Sequence, residues 1–145
     1  MLAAVANEGF RTLRQRLVEA WEQGGRGRQA FDAMGAAYVH FAITHSSHYR
    51  VMFGGFVDAS ARDPQLRQEG AGAFQALVDA LVSLQRQGLV VEDQPLQLAQ
   101  LIWSTVHGIA MLAIDGQLQG KPANGEALFL YAVERLRTGI AAPQP

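Results

Sequence analysis

A chain of 145 residues with 13 acidic and 12 basic side chains carries a net charge of −1, too weak a field to draw it to nucleic acid or to an anionic membrane. The length fits one domain, which buries roughly 68–70% of its unfolded surface without staples. Cysteine is absent, which excludes disulfides and thiolate zinc sites.

The opening MLAAVANEG has neither the basic lead nor the apolar run of a signal peptide, so a cytoplasmic location is expected. Leu2, Val5, Ala6, Phe10, Leu13, Leu17 and Trp21 recur at helical spacing, with Arg11, Arg14, Arg16 and Glu19 on the wet side. This predicts a first helix, stopped by Gly24-Gly25-Arg26-Gly27. A second, from about Arg28 to Thr44, turns Phe31, Met34, Tyr38 and Phe41 inward, and Gly35 in its interior points to close helix contact. Ser46 or Ser47 is expected to cap a short helix carrying Tyr49, Val51, Met52 and Phe53, broken by Gly54-Gly55. Asp63-Pro64 is a start signal, aspartate at the cap and proline in the first turn. The helix it opens aligns Phe74, Leu77, Val78, Leu81 and Leu84. Gly88 ends it, and Leu89 is placed to meet Leu84 in a Schellman closure.

Beyond the connector LVVED, a helix over about 94–115 contains the segment Leu101–Ile114, interrupted in its apolar surface only by Ser104, Thr105 and His107. A helix greasy all round is buried all round. The segment's 14 residues fall short of the roughly 20 that cross a bilayer, so protein must cover it: its own domain on one flank, a second copy on the other. Gly108 costs about 1 kcal/mol against alanine at such a position, which points to another backbone passing close. A loop follows over 116–123. Asn124 then caps a last helix with Leu128, Tyr131, Ala132, Arg135 and Leu136 along one side. Residues 141–145 are expected to fray. With no pair of alternating strand segments, the expected class is all-α: five to six helices in an orthogonal bundle. Residues 1–140 are expected to form one domain, whose last two long helices are suited to a four-helix interface with a twin.

Five features are candidates for chemistry. His45 and His48, three apart, with His40 nearby, have residue types and spacing that suit a metal, but no cysteine helps and Asp58 is the only carboxylate close in sequence. A helix start at His45-Ser46-Ser47 would also point the two imidazoles apart, so no metal is expected. Ser46 or Ser47 with His45 and Asp58 contains the types of a nucleophilic triad without its strained elbow or oxyanion donors; a capping role is preferred, and no enzyme is expected. Gly116 to Pro122 lacks the spacing, hydroxyl and preceding strand of a phosphate loop. The helix–glycine–helix stretch Leu81–Leu101 shows glutamines and apolar surface where a DNA reader needs cations. No lysine or arginine falls between Arg86 and Lys121. His107, four residues after Trp103 and on the same face, has two readings. In one it is a core histidine bonded to a neighbouring helix or a buried water; in the other it orients a small molecule inside an apolar cavity. The residues alone favour the first.

The spacing Trp103-x-x-x-His107-Gly108, within WSTVHGIAMLAIDG, resembles the WHG motif of a class of ligand-binding C-terminal domains in TetR-type bacterial transcription regulators. MLAAVANEGFRTLRQRLVEAW is similar to the helix that follows the DNA-binding headpiece in those regulators. YVHFAITHSSHYRVMFGG is similar to their "histidine, usually proline, then Tyr-Arg-x-Met-Phe" segment, with Ser46 where proline is usual. The resemblance spans essentially the whole chain. It implies an effector-sensing, dimerising domain with no cofactor, in which a small, largely apolar molecule binds among the helices of each protomer. It also implies an operator-binding headpiece that would precede Met1 and is absent from this sequence, so DNA is a partner only through that headpiece; no membrane partner is expected. Trp103, His107 and Gly108 match the motif. From apolar faces, Phe41, His45, Met52, Phe56, Phe74 and Leu77 join Trp103 and His107 as expected ligand contacts. Thr105, Ile109, Leu112, Leu128, Tyr131 and Arg135 are the expected homodimer contacts. The alternative is a stand-alone helical small-molecule-binding protein without DNA-binding activity.

Overall fold

Helix boundaries here are decided by which side chains can satisfy orphan backbone groups. The structure, a computed structural model, describes residues 2–54, 63–119 and 124–143. Six helices are described: α1 (Leu2–Gln23), α2 (Arg28–Thr44), α3 (Ser46–Phe53), α4 (Pro64–Arg86), α5 (Pro95–Ile114) and α6 (Gly125–Ile140). The Asp63 carboxylate accepts from the amides of Gln65 and Leu66 with Pro64 in the first turn, and Asn124 accepts from Ala127, so both expected caps are present. At the far end of α4, Gly88 takes φ +73° and the Leu89 amide donates to the Leu84 carbonyl at 2.9 Å, the expected Schellman closure. The start of α3 differs from expectation. His45 occupies the cap without a side-chain bond and also ends α2, so Ser46 and Ser47 lie inside the first turn. The chain bends between two nearly continuous helices, leaving no separate turn for a serine to cap.

The architecture is all-α. Among the described residues the only β pairing is an isolated antiparallel bridge between Val90 and Ala141. Around it the Val91 amide donates to Ile140 and the Ala142 amide to Leu89, which holds the first two residues after α6 against the α4–α5 connector rather than leaving them frayed. The helix most enclosed is α2, which packs on α1, α3, α5 and α6; its Ala30, Val39, Phe41 and Ala42 have no exposed surface. Gly35 lets it come close to α6, since a Cβ there would overlap the Phe129 ring.

Helix α5 is covered by its own chain on one flank, as expected. Its inner face, with Leu98, Ala99, Val106, Ile109 and Ala110, is buried, but Leu101 is 57% and Leu112 46% exposed. An all-round apolar composition says that every side wants cover, and this chain supplies it on one side only. Gly108 has nothing within 4 Å of where its Cβ would stand, so no backbone of the described chain passes close to it. The helix is also 20 residues long and is, by length and composition, apolar enough to cross a membrane. The shortness of its central segment therefore excludes nothing. What identifies α5 as a wall of the helical fold is its packing against α2, α4 and α6.

A candidate effector cavity and the hydrogen-bonded chain behind it

An apolar cavity of about 430 Å³ lies between the helices, within the 300–1,000 Å³ usual for small-molecule sites. Phe10, Leu13 and Leu17 of α1 form one wall; Phe31, Met34, Gly35 and Tyr38 of α2 form the next. From α4 come Leu66, Gly70, Ala73, Phe74, Leu77 and Leu84, and α5 adds Ile102, Trp103, Thr105 and Val106. Phe129, Val133, Leu136 and Ile140 of α6 complete it, with Met52 and Phe53 of α3 at one end. A Cβ at Gly70 would stand 3.6 Å from the Phe10 ring, in ordinary contact with that wall. An aromatic lattice stiffens the walls. Phe10 and Phe53 meet edge to face at 5.3 Å, and Trp103 packs at 6.0 Å from both Phe53 and Phe74, within the range of favourable ring pairs.

Charge enters the cavity only at its ends. Arg28, Asp32 and Arg137 line one end and Arg67 the other. Arg137 pairs with Asp32 at 3.1 Å. Burial nevertheless pushes the Asp32 carboxyl above its usual range, against the pull of that guanidinium.

A chain of four side chains runs from the wall, where Trp103 and Tyr38 stand, to Tyr49 and His107 behind it. The Trp103 indole N–H donates to the Tyr38 hydroxyl at 3.0 Å, Tyr38 and Tyr49 hydroxyls lie 2.7 Å apart, and the Tyr49 hydroxyl lies 2.5 Å from His107 Nδ1. Indole can only donate, so the Tyr38 oxygen accepts from it. Giving the Tyr38 proton to Tyr49 and the Tyr49 proton to Nδ1 is the order that leaves no hydroxyl proton of the chain without an acceptor, with His107 neutral and its proton on Nε2. Burial agrees at every link: it lowers the His107 pKa, raises Tyr38 to about 12 and raises Tyr49 still more strongly. Trp103 and His107, one turn apart on α5, are thus tied to α2 and α3 together. Arg50 adds a second link, pairing with Asp115 at 2.8 Å and donating to the Ile114 carbonyl at 3.2 Å, where a cation suits the end of α5.

The residues expected to touch ligand are distributed over this arrangement. Met52, Phe74, Leu77 and Trp103 line the cavity. Phe41 is fully buried outside the lining, with the His45 ring stacked on it at 4.9 Å. His107 stands behind the wall, bonded to Tyr49. Phe56 lies outside the described residues, as does Asp58 of the triad considered above. Of the expected dimer contacts, Leu112, Tyr131 and Arg135 are exposed, and the Arg135 guanidinium lies 5.3 Å over the Tyr131 ring. Leu128 is half-buried against the core, Ile109 points into its own core, and Thr105 lines the cavity. The His45 and His48 rings are neighbours at 6.1 Å rather than turned apart; among the described residues no third histidine or carboxylate joins them in a metal-sized cluster. Sequence reasoning missed Tyr38 and Tyr49 as polar partners. The sequence signalled only that Trp103 and His107, one turn apart on an apolar helix, require partners, and not which side chains supply them.

Residues 31–136 match the family described as "Tetracyclin repressor-like, C-terminal domain". The fold is similar to that of a solved protein of unknown function from Rhodococcus sp. RHA1, with a TM-score of 0.87 and 29% identity, over 97% of this chain and 73% of that one. No curated protein matches the sequence.

Proposed function

Because the chain belongs to the tetracyclin repressor-like C-terminal domain family, we propose that it is the effector-sensing, dimerising part of a transcriptional regulator. Its role is regulatory and not enzymatic: a small, largely apolar molecule occupies the cavity of each protomer. One observation carries this reading, the apolar space of about 430 Å³ bounded by Phe74, Leu77 and Trp103. Its walls are aromatic and aliphatic with polar atoms at few points, the usual composition of a small-molecule site.

The homodimer forms through the outward faces of α5 and α6. Leu101, Ser104, Gly108 and Leu112 follow one another on α5 at helical spacing, and Leu130 and Tyr131 are 64% and 52% exposed on α6. Apolar side chains in such a group on adjacent helices mark a protein contact, and the open space beside Gly108 suits close approach of a partner helix. Operator DNA is contacted through an N-terminal headpiece, and effector binding acts by favouring one dimer geometry over another.

The test is a thermal-shift screen of small neutral and weakly polar molecules on the wild-type chain and on Leu77→Trp, which fills the cavity. Hits should raise the melting temperature of the wild type through mass action and leave Leu77→Trp unmoved. Equal shifts in both proteins would remove the cavity as the site.

A further inference from the structure

We propose that the cavity takes an elongated amphiphile with a carboxylate head, and that Arg28 receives that head. This rests on the cavity being the effector site and adds the chemical class of the effector. The lining follows α4 from Leu66 to Leu84, a distance of roughly 27 Å at 1.5 Å per residue, so the space is long as well as apolar. Its charged groups are gathered at the ends: Arg67 stands at the start of α4, and Arg28 bonds to Leu89 beyond its end. At one end Arg137 is already neutralised by Asp32 at 3.1 Å. Arg28, half-buried beside it, has no carboxylate within ion-pair distance among the described residues. Its hydrogen bond there is a long one, 3.5 Å to the Leu89 carbonyl.

A half-buried guanidinium met by one distant neutral oxygen is left with donors to spare. A planar carboxylate accepts two of them in parallel, the geometry for which arginine is suited. Arg67, at the opposite end, is exposed, so solvent and salt screen what it offers. The alkyl body would then run from Arg28 past Phe31, Leu77 and Trp103 toward Phe53.

The experiment is isothermal titration at pH 7.5, below micellar concentrations, with sodium dodecanoate, 1-dodecanol and dodecyltrimethylammonium as probes. A charge-assisted bond of this kind corresponds to roughly ten- to a hundredfold in affinity. Dodecanoate should bind at least tenfold more tightly than dodecanol, and dodecyltrimethylammonium more weakly than either. Arg28→Gln should erase the dodecanoate preference while dodecanol affinity stays unchanged, and Arg28→Lys should restore part of it. Unchanged dodecanol binding also reports that Arg28→Gln is folded. If dodecanol binds as tightly as dodecanoate, the head-group assignment is overturned and the cavity reading survives. A preference that persists in Arg28→Gln, or disappears instead in Arg67→Gln, overturns the choice of Arg28. If none of the three probes binds, this inference is overturned, while the cavity reading stands or falls on the thermal-shift comparison of wild type with Leu77→Trp.

Discussion

At the scale of single residues, the four-member chain from Trp103 to His107 is where energetic consequences are sharpest. Tyr49 has no exposed surface, and Tyr49→Phe would leave the Tyr38 hydroxyl and His107 Nδ1 without their partner. A buried polar group left unsatisfied costs about 1–3 kcal/mol. His107 is only half-buried and can turn to water, so urea denaturation should report a loss of about 1–3 kcal/mol, that of the buried Tyr38 hydroxyl. Burial lowers the His107 pKa from an unfolded value of about 6.5, and the unfolded chain therefore binds the proton first. Its contribution to stability is complete above about pH 6.5 and is lost as the pH falls through the lowered folded value. Denaturation midpoints measured from pH 8 to pH 5 should fall more steeply for wild type than for His107→Gln; parallel curves would show that His107 is not the titrating group. Trp103 and His107 were legible in the sequence as a pair on one face. What each bonds to was not, because Tyr38 and Tyr49 come from helices whose approach to α5 is set by tertiary packing, and no local spacing encodes it.

Among elements, legibility divides between ends and faces. Asp63, Asn124 and Gly88 act on backbone groups within a few residues, so their roles follow from local chemistry, and Asp63→Ala should cost about 0.5–2 kcal/mol by the same denaturation assay. The start of α3 was misread because one residue, His45, serves two helices at once. The inward side of α5 was harder still. Thr105 and Ile109 were expected outward with Leu112, yet a helix apolar around its circumference has no polar side to mark which way it turns. Gly108 now has a specific use. Nothing in the described chain meets a Cβ there, so Gly108→Ala should raise intrinsic helix stability by about 0.8–1 kcal/mol. If a partner's backbone fills the space, the same methyl group should weaken association. Analytical ultracentrifugation should find a dimer dissociation constant raised tenfold or more; unchanged association would mean that the interface avoids α5 at this point.

At the scale of the molecule, the same helices serve a cavity inside and an apolar surface outside. Trp103 and Ile102 face the cavity while Leu101 and Leu112 on the same helix face away from it. A change in the cavity that displaces α5 would carry its outer face with it, and under the proposed function this is the route by which an effector would bias a dimer. The all-α class and the family were legible because periodicity and a few ordered motifs survive without coordinates. The cavity was legible only in part: Met52, Phe74, Leu77 and Trp103 were named from apolar faces, whereas the contributions of α1 and α6 depend on how six helices close around one space. Light scattering at micromolar concentration should report a homodimer, and Leu112→Glu or Tyr131→Glu should convert it to monomer. A co-crystal structure with the tightest neutral hit from the thermal-shift screen tests the central claim most directly. The account predicts ligand density enclosed by Phe74, Leu77 and Trp103, one molecule per protomer; a ligand seated on the outer face of α5 and α6, with the cavity empty, would contradict it.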